Sequence, residues 1–365
     1  MRKTGPCRRA YRDGGSAAHT AACRTVAAMG LVIAGIDEAG YGPLLGPMCV
    51  GMAVMRVENW NEGDAAPDLW KELAPAICRK PAKGKGGVAS IPIADSKKLK
   101  LANDVIRGHP VMHLERGVLA LLSASGSELP SDDGVLFDRL GTKLGGHECY
   151  AAGNAALPLA WSADQLSIGT NVVRGALERA GVSVLALACE VTPEPVFNEI
   201  VEQRGTKAAV TVRSIARHLR TVWQRWGGTP DHVRIVCDRL GGRERYAAVL
   251  DRIARRIDGA ATARVLEETP TRSRYMVEGP TGRVGVSFEV EGEDAHLPVA
   301  LASMIAKYVR ELAMARFNRY WTARMQTLGA EIKPTAGYSQ DGRRWLKDAA
   351  SMLTDEDRRL LVRRA

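Results

Sequence analysis

Two adjacent carboxylates, Asp37 and Glu38, end the apolar run Leu31–Ile36 and open onto Gly40, Gly42, Pro43, Gly46 and Pro47. Neighbouring acids repel unless a cation neutralises them, and oxygen-only ligands suit a hard divalent ion such as Mg²⁺ or Mn²⁺. The glycines leave backbone N–H groups open to a ligand that comes close, such as a phosphate or a sugar. A further acid, Asp238, follows Val233–Cys237 in the same manner, with Gly241 and Gly242 behind it. Another group, Glu291, Glu293 and Asp294, stands just before Pro298. Four carboxylates drawn from these segments to one point would hold two ions about 3.5–4 Å apart, the arrangement that serves in-line phosphodiester displacement. Each segment also has an ordinary reading: a solvated acidic turn, a turn cap, and acids favoured at a helix N-terminus.

Strands and a helix have to hold these acids. Leu31–Ile36, stopped by turn-formers, reads as a buried strand, and Met48–Met55 as an antiparallel partner across the Gly-Pro turn. Val182–Cys189, Val233–Cys237 and Val284–Val290 are further strands. If the Val233 strand runs parallel to the first, Asp37 and Asp238 emerge at the same sheet edge, where sites of α/β sheets gather. Helices are expected over Thr170–Ala180, Pro195–Gln203, Thr211–Trp223, from about Arg243, over Pro298–Tyr320, and within Trp345–Arg364. The Thr211 helix puts Arg213, Arg217 and Arg220 on one face, which would track phosphates or simply be solvated. Leu114–Leu122 is compatible with strand or helix. Residues 101–165 read as an insertion that decorates the core, and so does 57–90, with a flexible tip at Lys83–Gly87.

The bulk properties exclude little. The 365 residues carry a net charge of +10, with 45% hydrophobic and 25% charged residues, ordinary for a globular protein of one or two domains. Half of the net charge lies in residues 1–28, where six basic residues face the single acid Asp13. The remainder is mildly basic, compatible with nucleic acid. Seven scattered cysteines without C-x-x-C spacing argue against a disulfide framework or zinc site, and for a reducing cytoplasm. Basic residues followed by Thr25–Ile36 imitate a secretory signal, but cleavage there would remove the strand that presents Asp37 and Glu38. Residues 1–28 are therefore expected to be a flexible extension, with Met29 an alternative start. No stretch is long and apolar enough to predict a membrane span.

Asp37-Glu38-Ala39-Gly40, with Gly42-Pro43 and Gly46-Pro47, resembles the opening motif of type 2 ribonucleases H, the ribonuclease HII family. Further stretches resemble that family in order: Asp95-Ser96-Lys97-Lys98-Leu99; Asp238 with Gly241 and Tyr246; the acids before Ala302-Ser303-Met304-Ile305-Ala306-Lys307; and Gly337-Tyr338-Ser339-Gln340-Asp341. The Asp238 segment is closest to the archaeal and eukaryotic branch. The resemblance implies a ribonuclease H-like α/β sheet flanked by helices over 29–320, and a C-terminal helical portion over 321–365. It also implies Mg²⁺- or Mn²⁺-dependent cutting of RNA–DNA hybrids or of ribonucleotides embedded in DNA, leaving a 3′-hydroxyl and a 5′-phosphate. The implied ligands are Asp37, Glu38, Asp238 and one of Glu293 or Asp294. Counting back from Lys307 reaches Glu293, while the type of acid favours Asp294. Gly40, Tyr41 and Gly42 would read the 2′-hydroxyl and phosphate, Ser96, Lys97 and Lys98 would hold phosphate, and Tyr338 would pack on a sugar. Tyr41 stands where the family has Arg. That departure leaves room for a hybrid-binding module without catalysis, or for a nuclease of the same fold acting on another nucleic acid.

Overall fold

The computed structural model describes residues 29–81, 90–106, 108–151, 153–241 and 243–364. The expected extension 1–28 and tip Lys83–Gly87 lie outside the described residues. Seven strands form one mixed sheet: β1 Leu31–Ala39, β2 Met48–Val57, β3 Val182–Thr192, β4 His232–Asp238, β5 Thr262–Glu268, β6 Arg272–Gly279 and β7 Gly282–Glu289. Their order is β3-β2-β1-β4-β7-β6-β5. β2 is antiparallel to both of its neighbours, β1, β4 and β7 run parallel, and β6 and β5 continue as an antiparallel meander. The fold is thus of the α/β class, a mixed sheet with helices on both faces.

One face of the sheet packs on α4, Ala208–Trp226, and α5, Ala247–Ile257. Helix α4 turns Ile215, Leu219, Val222 and Trp223 inward and leaves Arg213, Arg217 and Arg220 in solvent, with Arg217 paired to Glu190 at 2.7 Å. The other face carries α6, Leu297–Gln326, over β1 and β2, backed by α1, Met112–Ala124, and α2, Ala163–Arg179. Helix α6 can settle there because β1 and β2 offer glycine where it crosses. A Cβ on Gly35 would come within 2.1 Å of the Pro298 backbone, and one on Gly51 within 2.1 Å of the Ala302 carbonyl.

Part of the stretch 101–165 contributes to the core. Leu114, Val118, Leu119 and Leu121 join the same apolar cluster as β1 and α6. Buried Glu115 accepts hydrogen bonds from Tyr308 Oη at 2.9 Å and from the Leu159 and Ala160 amides. Buried Asp133 holds Arg316 through two contacts of 2.6 and 2.8 Å. Leu114–Leu122 is buried on every side of its helix, which removes the period that distinguishes helix from strand. Beyond α6, α7 (Ser339–Asp348) and α8 (Asp355–Leu361) close a smaller aromatic cluster with Phe317, Trp321 and Trp345. Among the described residues no helix is long and apolar enough to cross a membrane.

Candidate active site

The carboxyl ends of β1 and β4 are adjacent. Their parallel register pairs Ile36 with Cys237, so the next residues, Asp37 and Asp238, stand side by side. Ile36 and Cys237 point into the α4 core, and strand alternation turns the two acids toward α6. There the neighbouring Ser303 hydroxyl moderates the rise in the Asp37 pKa, and Ser303 Oγ donates to Ser96 Oγ at 3.0 Å. Glu38 follows on β1. Glu293 arrives from a single helical turn, Gly292–Ala295, which a left-handed Glu291 (φ 55°) swings back toward the sheet before α6 begins.

These four carboxylates lie in one another's field. Burial, then Glu38 and Asp238, pushes Asp37 well above the ordinary carboxyl range. Burial and then Asp238 push Glu38 up to about 7. Burial and then Glu293 push Asp238 up to about 6. Burial alone would lower Lys97, but Asp95, Asp37, Glu293 and Asp238 together hold its pKa above the usual lysine value. Asp294 is not among them. Its carboxylate is half exposed and held 2.7 Å from Lys98 Nζ, while the Arg79 guanidinium donates to its backbone carbonyl. The register count from Lys307, and not the type of acid, therefore matches the geometry. A one-residue change on a helical turn rotates the side chain by about 100°.

Among the described residues no three acid, imidazole or thiol groups close on one point as a formed metal cage. The donor set nevertheless fits a hard divalent cation. Every donor is an oxygen, the acids oppose one another's ionisation, and Glu293 Oε2 is buried without a hydrogen-bond partner. Asp37, Glu38, Asp238 and Glu293 could hold such an ion.

The surrounding residues divide into groups that face outward and groups that brace. The Asp95 side chain caps the single turn Ser96–Leu99 by accepting the Lys97 amide at 2.9 Å. Lys97 then faces the carboxylates, and Lys98 faces Asp294. The Gly40–Pro47 loop exposes Tyr41, and a Cβ on Gly42 would meet open space. Tyr338 is exposed as well, with Lys307 and Arg310 5.6 and 5.5 Å from its ring centre. Tyr246, by contrast, is buried, stacked on Phe288 at 3.6 Å, and holds the turn after Asp238 by donating to the Arg243 carbonyl. Asp341 likewise braces a turn, accepting from Thr335 and the Ala336 amide.

A clamp that the sequence reading did not anticipate fixes the Gly40–Pro47 loop. Arg310 of α6 donates to the Leu45, Pro47 and Ala336 carbonyls. The Gly337 carbonyl accepts both the Leu44 and Leu45 amides, and a Cβ on Gly337 would come within 2.3 Å of the Leu45 carbonyl. The Arg363 amide donates to Leu44, and its guanidinium donates to the Gly40 carbonyl. One sequence signal was available: Ser303, Lys307 and Arg310 recur at i, i+4 and i+7 on a helix that is otherwise almost wholly apolar along that stretch.

No protein-family profile matches the chain, and no curated protein is similar to it in sequence. Solved structures with a similar course of chain include Bst-RNase HIII in complex with Mn²⁺, at 14% identity and a TM-score of 0.41. That alignment covers 93% of this chain and 67% of the other. A mutant form of Bst-RNase HIII aligns at 15% identity and a TM-score of 0.42, over 92% of this chain and 66% of its own. This chain thus spans about two thirds of the length of those proteins. RNase HII from Archaeoglobus fulgidus, in complex with PCNA, aligns at 15% identity and a TM-score of 0.36, over 91% of this chain and 93% of its own.

Proposed function

We propose that the protein is a metal-dependent endonuclease that hydrolyses the RNA strand of RNA–DNA hybrids or cuts at ribonucleotides embedded in duplex DNA. The reading rests on one observation above all: Asp37 and Asp238 side by side at the carboxyl edge of the sheet, within the field of Glu38 and Glu293. When bound, Mg²⁺ or Mn²⁺ supplies Lewis-acid polarisation of the phosphodiester and a water of lowered pKa. Asp37, Glu38, Asp238 and Glu293 are the ligands in this reading, and Asp294 serves to orient Lys98. Lys97 holds a phosphate oxygen beside the acids, with Ser96 and Lys98 on the same turn. Gly40, Tyr41 and Gly42 approach the ribose and phosphate, and the exposed Tyr338 ring packs on a sugar. Residues 29–320 carry the catalysis in this reading, and 321–365 complete the loop clamp. The five described cysteines are all free thiols, in keeping with a reducing compartment such as the cytoplasm.

A second reading, a hybrid-binding module without catalysis, draws on Tyr41 in place of the family's Arg. The test uses three labelled duplexes: a full hybrid, DNA with one ribonucleotide, and DNA alone. Metal-dependent cutting of either of the first two, leaving a 5′-phosphate and lost in Asp37→Asn, is the expected outcome. Tight binding of the hybrid with no cutting in Mg²⁺ or Mn²⁺ would favour the module, and equal cutting of plain DNA a nuclease with another substrate.

A further inference from the structure

The half of the sheet that α6 leaves bare holds a cavity of about 620 Å³ on the same face as the acids. Along β4, alternate residues His232, Arg234 and Val236 line it, and the next residue of that row is Asp238. The cavity therefore runs down the sheet from the carboxylate edge. Its floor is the middle strand, β7, where Gly285 and Ser287 present almost no side chain. Gly285 is not forced there by crowding, since a Cβ would meet only ordinary contacts, 3.6 Å from the Val233 carbonyl. The walls are long and basic. Arg234 is paired with Gly285 across one side, and Arg274 with Ser287 across the other.

Charge at this point is unevenly compensated. Arg272 and Arg274 share Glu267 at 2.9 and 3.7 Å, and Arg283 is held by Glu278 at 3.0 Å. Asp231 is taken by Arg56 and Glu289 by His296. Arg234 packs on the Trp60 ring, its guanidinium carbon 4.6 Å from the centre, with no carboxylate in ion-pair contact among the described residues. Burial and then the proximity of Arg274 lower its pKa, with Glu62 opposing them only in part. Two guanidinium groups on either side of a small-residue floor, in a groove whose β4 row leads on to Asp238, form a receptor for an oxyanion.

We infer that this face is a phosphate-binding extension of the nucleic-acid site, in which a strand held at Asp37 and Asp238 continues down the β4 row and seats a backbone phosphate between Arg234 and Arg274. The inference rests on the nuclease reading for the source of that strand. Arg234 lies four residues from Asp238, about 13 Å of β-strand, well within the length of a short oligonucleotide. Trp60 stiffens the Arg234 side chain, which lowers the entropy lost when it takes up the phosphate.

The test is equilibrium binding of a labelled RNA–DNA hybrid to the full chain without added metal, by fluorescence polarisation over a range of salt concentrations. Arg274→Gln, Arg234→Gln and the double variant are compared with the unaltered protein and with Arg234→Lys. Each lost phosphate contact is expected to weaken binding about 3–10-fold and to reduce the slope of log affinity against log salt by about 1. Arg234→Lys, which keeps the charge, should retain most of the slope. Unchanged affinity and slope in Arg274→Gln, a surface change that leaves folding intact, would overturn the inference. So would a different source of the same chemistry: inorganic phosphate or a mononucleotide raising the melting temperature of the unaltered protein but not of the double variant, with the hybrid slope unaltered. Because binding is read without cleavage, the absence of metal-dependent cutting by the unaltered protein would count against the nuclease reading alone.

Discussion

The two halves of one sheet face are built on opposite terms. Over β1 and β2 the sheet gives up its side chains at Gly35 and Gly51, so that α6 lies on the backbone there and covers Asp37. Over β4, β7 and β6 no helix descends among the described residues, and the same face bears arginines around an open floor. Close packing on the first half excludes water from the acids and raises their pKa values. Openness on the second half leaves room for a ligand. The acids stand on the seam between the two, which is where a buried charge set can still be reached from outside.

Substitutions at the seam and on either side of it test this contrast. The largest effect is expected at the seam itself. Asp37→Asn and Glu293→Gln should each lower the metal-dependent cleavage rate about 10³-fold, equivalent to ~4 kcal/mol of barrier, whereas Asp294→Asn should cost less than about tenfold. An equal loss at Asp294, measured under single-turnover conditions, would return the fourth ligand to that residue. On the covered half, Gly35→Ala drives a methyl into the α6 backbone and should destabilise by about 3 kcal/mol or more, read as a shifted urea midpoint.

An intermediate effect is expected from pH. Glu38 and Asp238 ionise at about 7 and about 6 in the fold, against 4.5 and 3.8 ordinarily. The folded state thus holds protons that the unfolded chain releases. Their contribution to stability is complete below about pH 4 and is lost as pH rises to about 7. Melting temperature without metal should fall across that interval, and Mg²⁺ should flatten the decline. A profile that is flat without metal would mean the acids do not crowd one another. The smallest effect belongs to the bare half: Gly285→Ala has room for its methyl and should change stability by no more than about 0.5–1 kcal/mol, in the stabilising direction if at all.

What could be read from the letters follows the same division. β1, β2 and β4 are apolar runs stopped by turn-formers, so their position and the acids at their ends were visible, and the parallel pairing of β1 with β4 fixes which acids are neighbours. The expected helix at Pro298–Tyr320 is Leu297–Gln326 in the fold, because its buried apolar pattern continues into the aromatic cluster. The β5–β6 meander was not anticipated. Arg272, Arg274 and Met276 alternate with inward Ser273, Tyr275 and Val277, but the charged row masks the strand when the bare sheet face is unknown. Which of Glu293 and Asp294 faces the other acids depends on the turn after the left-handed Glu291, a backbone detail that residue type alone does not disclose. The polar row ending in Arg310 was a local signal, but its partners and Arg363 stand too distant in sequence for any local pattern to join them.

That distance has a consequence for how the protein comes into being. The guanidinium that fixes the Gly40 carbonyl belongs to a residue 323 positions later. At about 5–20 residues per second, the ribosome takes on the order of 15–60 s to travel between them. For that interval a nascent chain can display its first acids but not the finished loop beside them. Closure of the loop thus waits until Arg363 has been made, and a chain stalled short of that residue would carry the acids without the finished loop beside them.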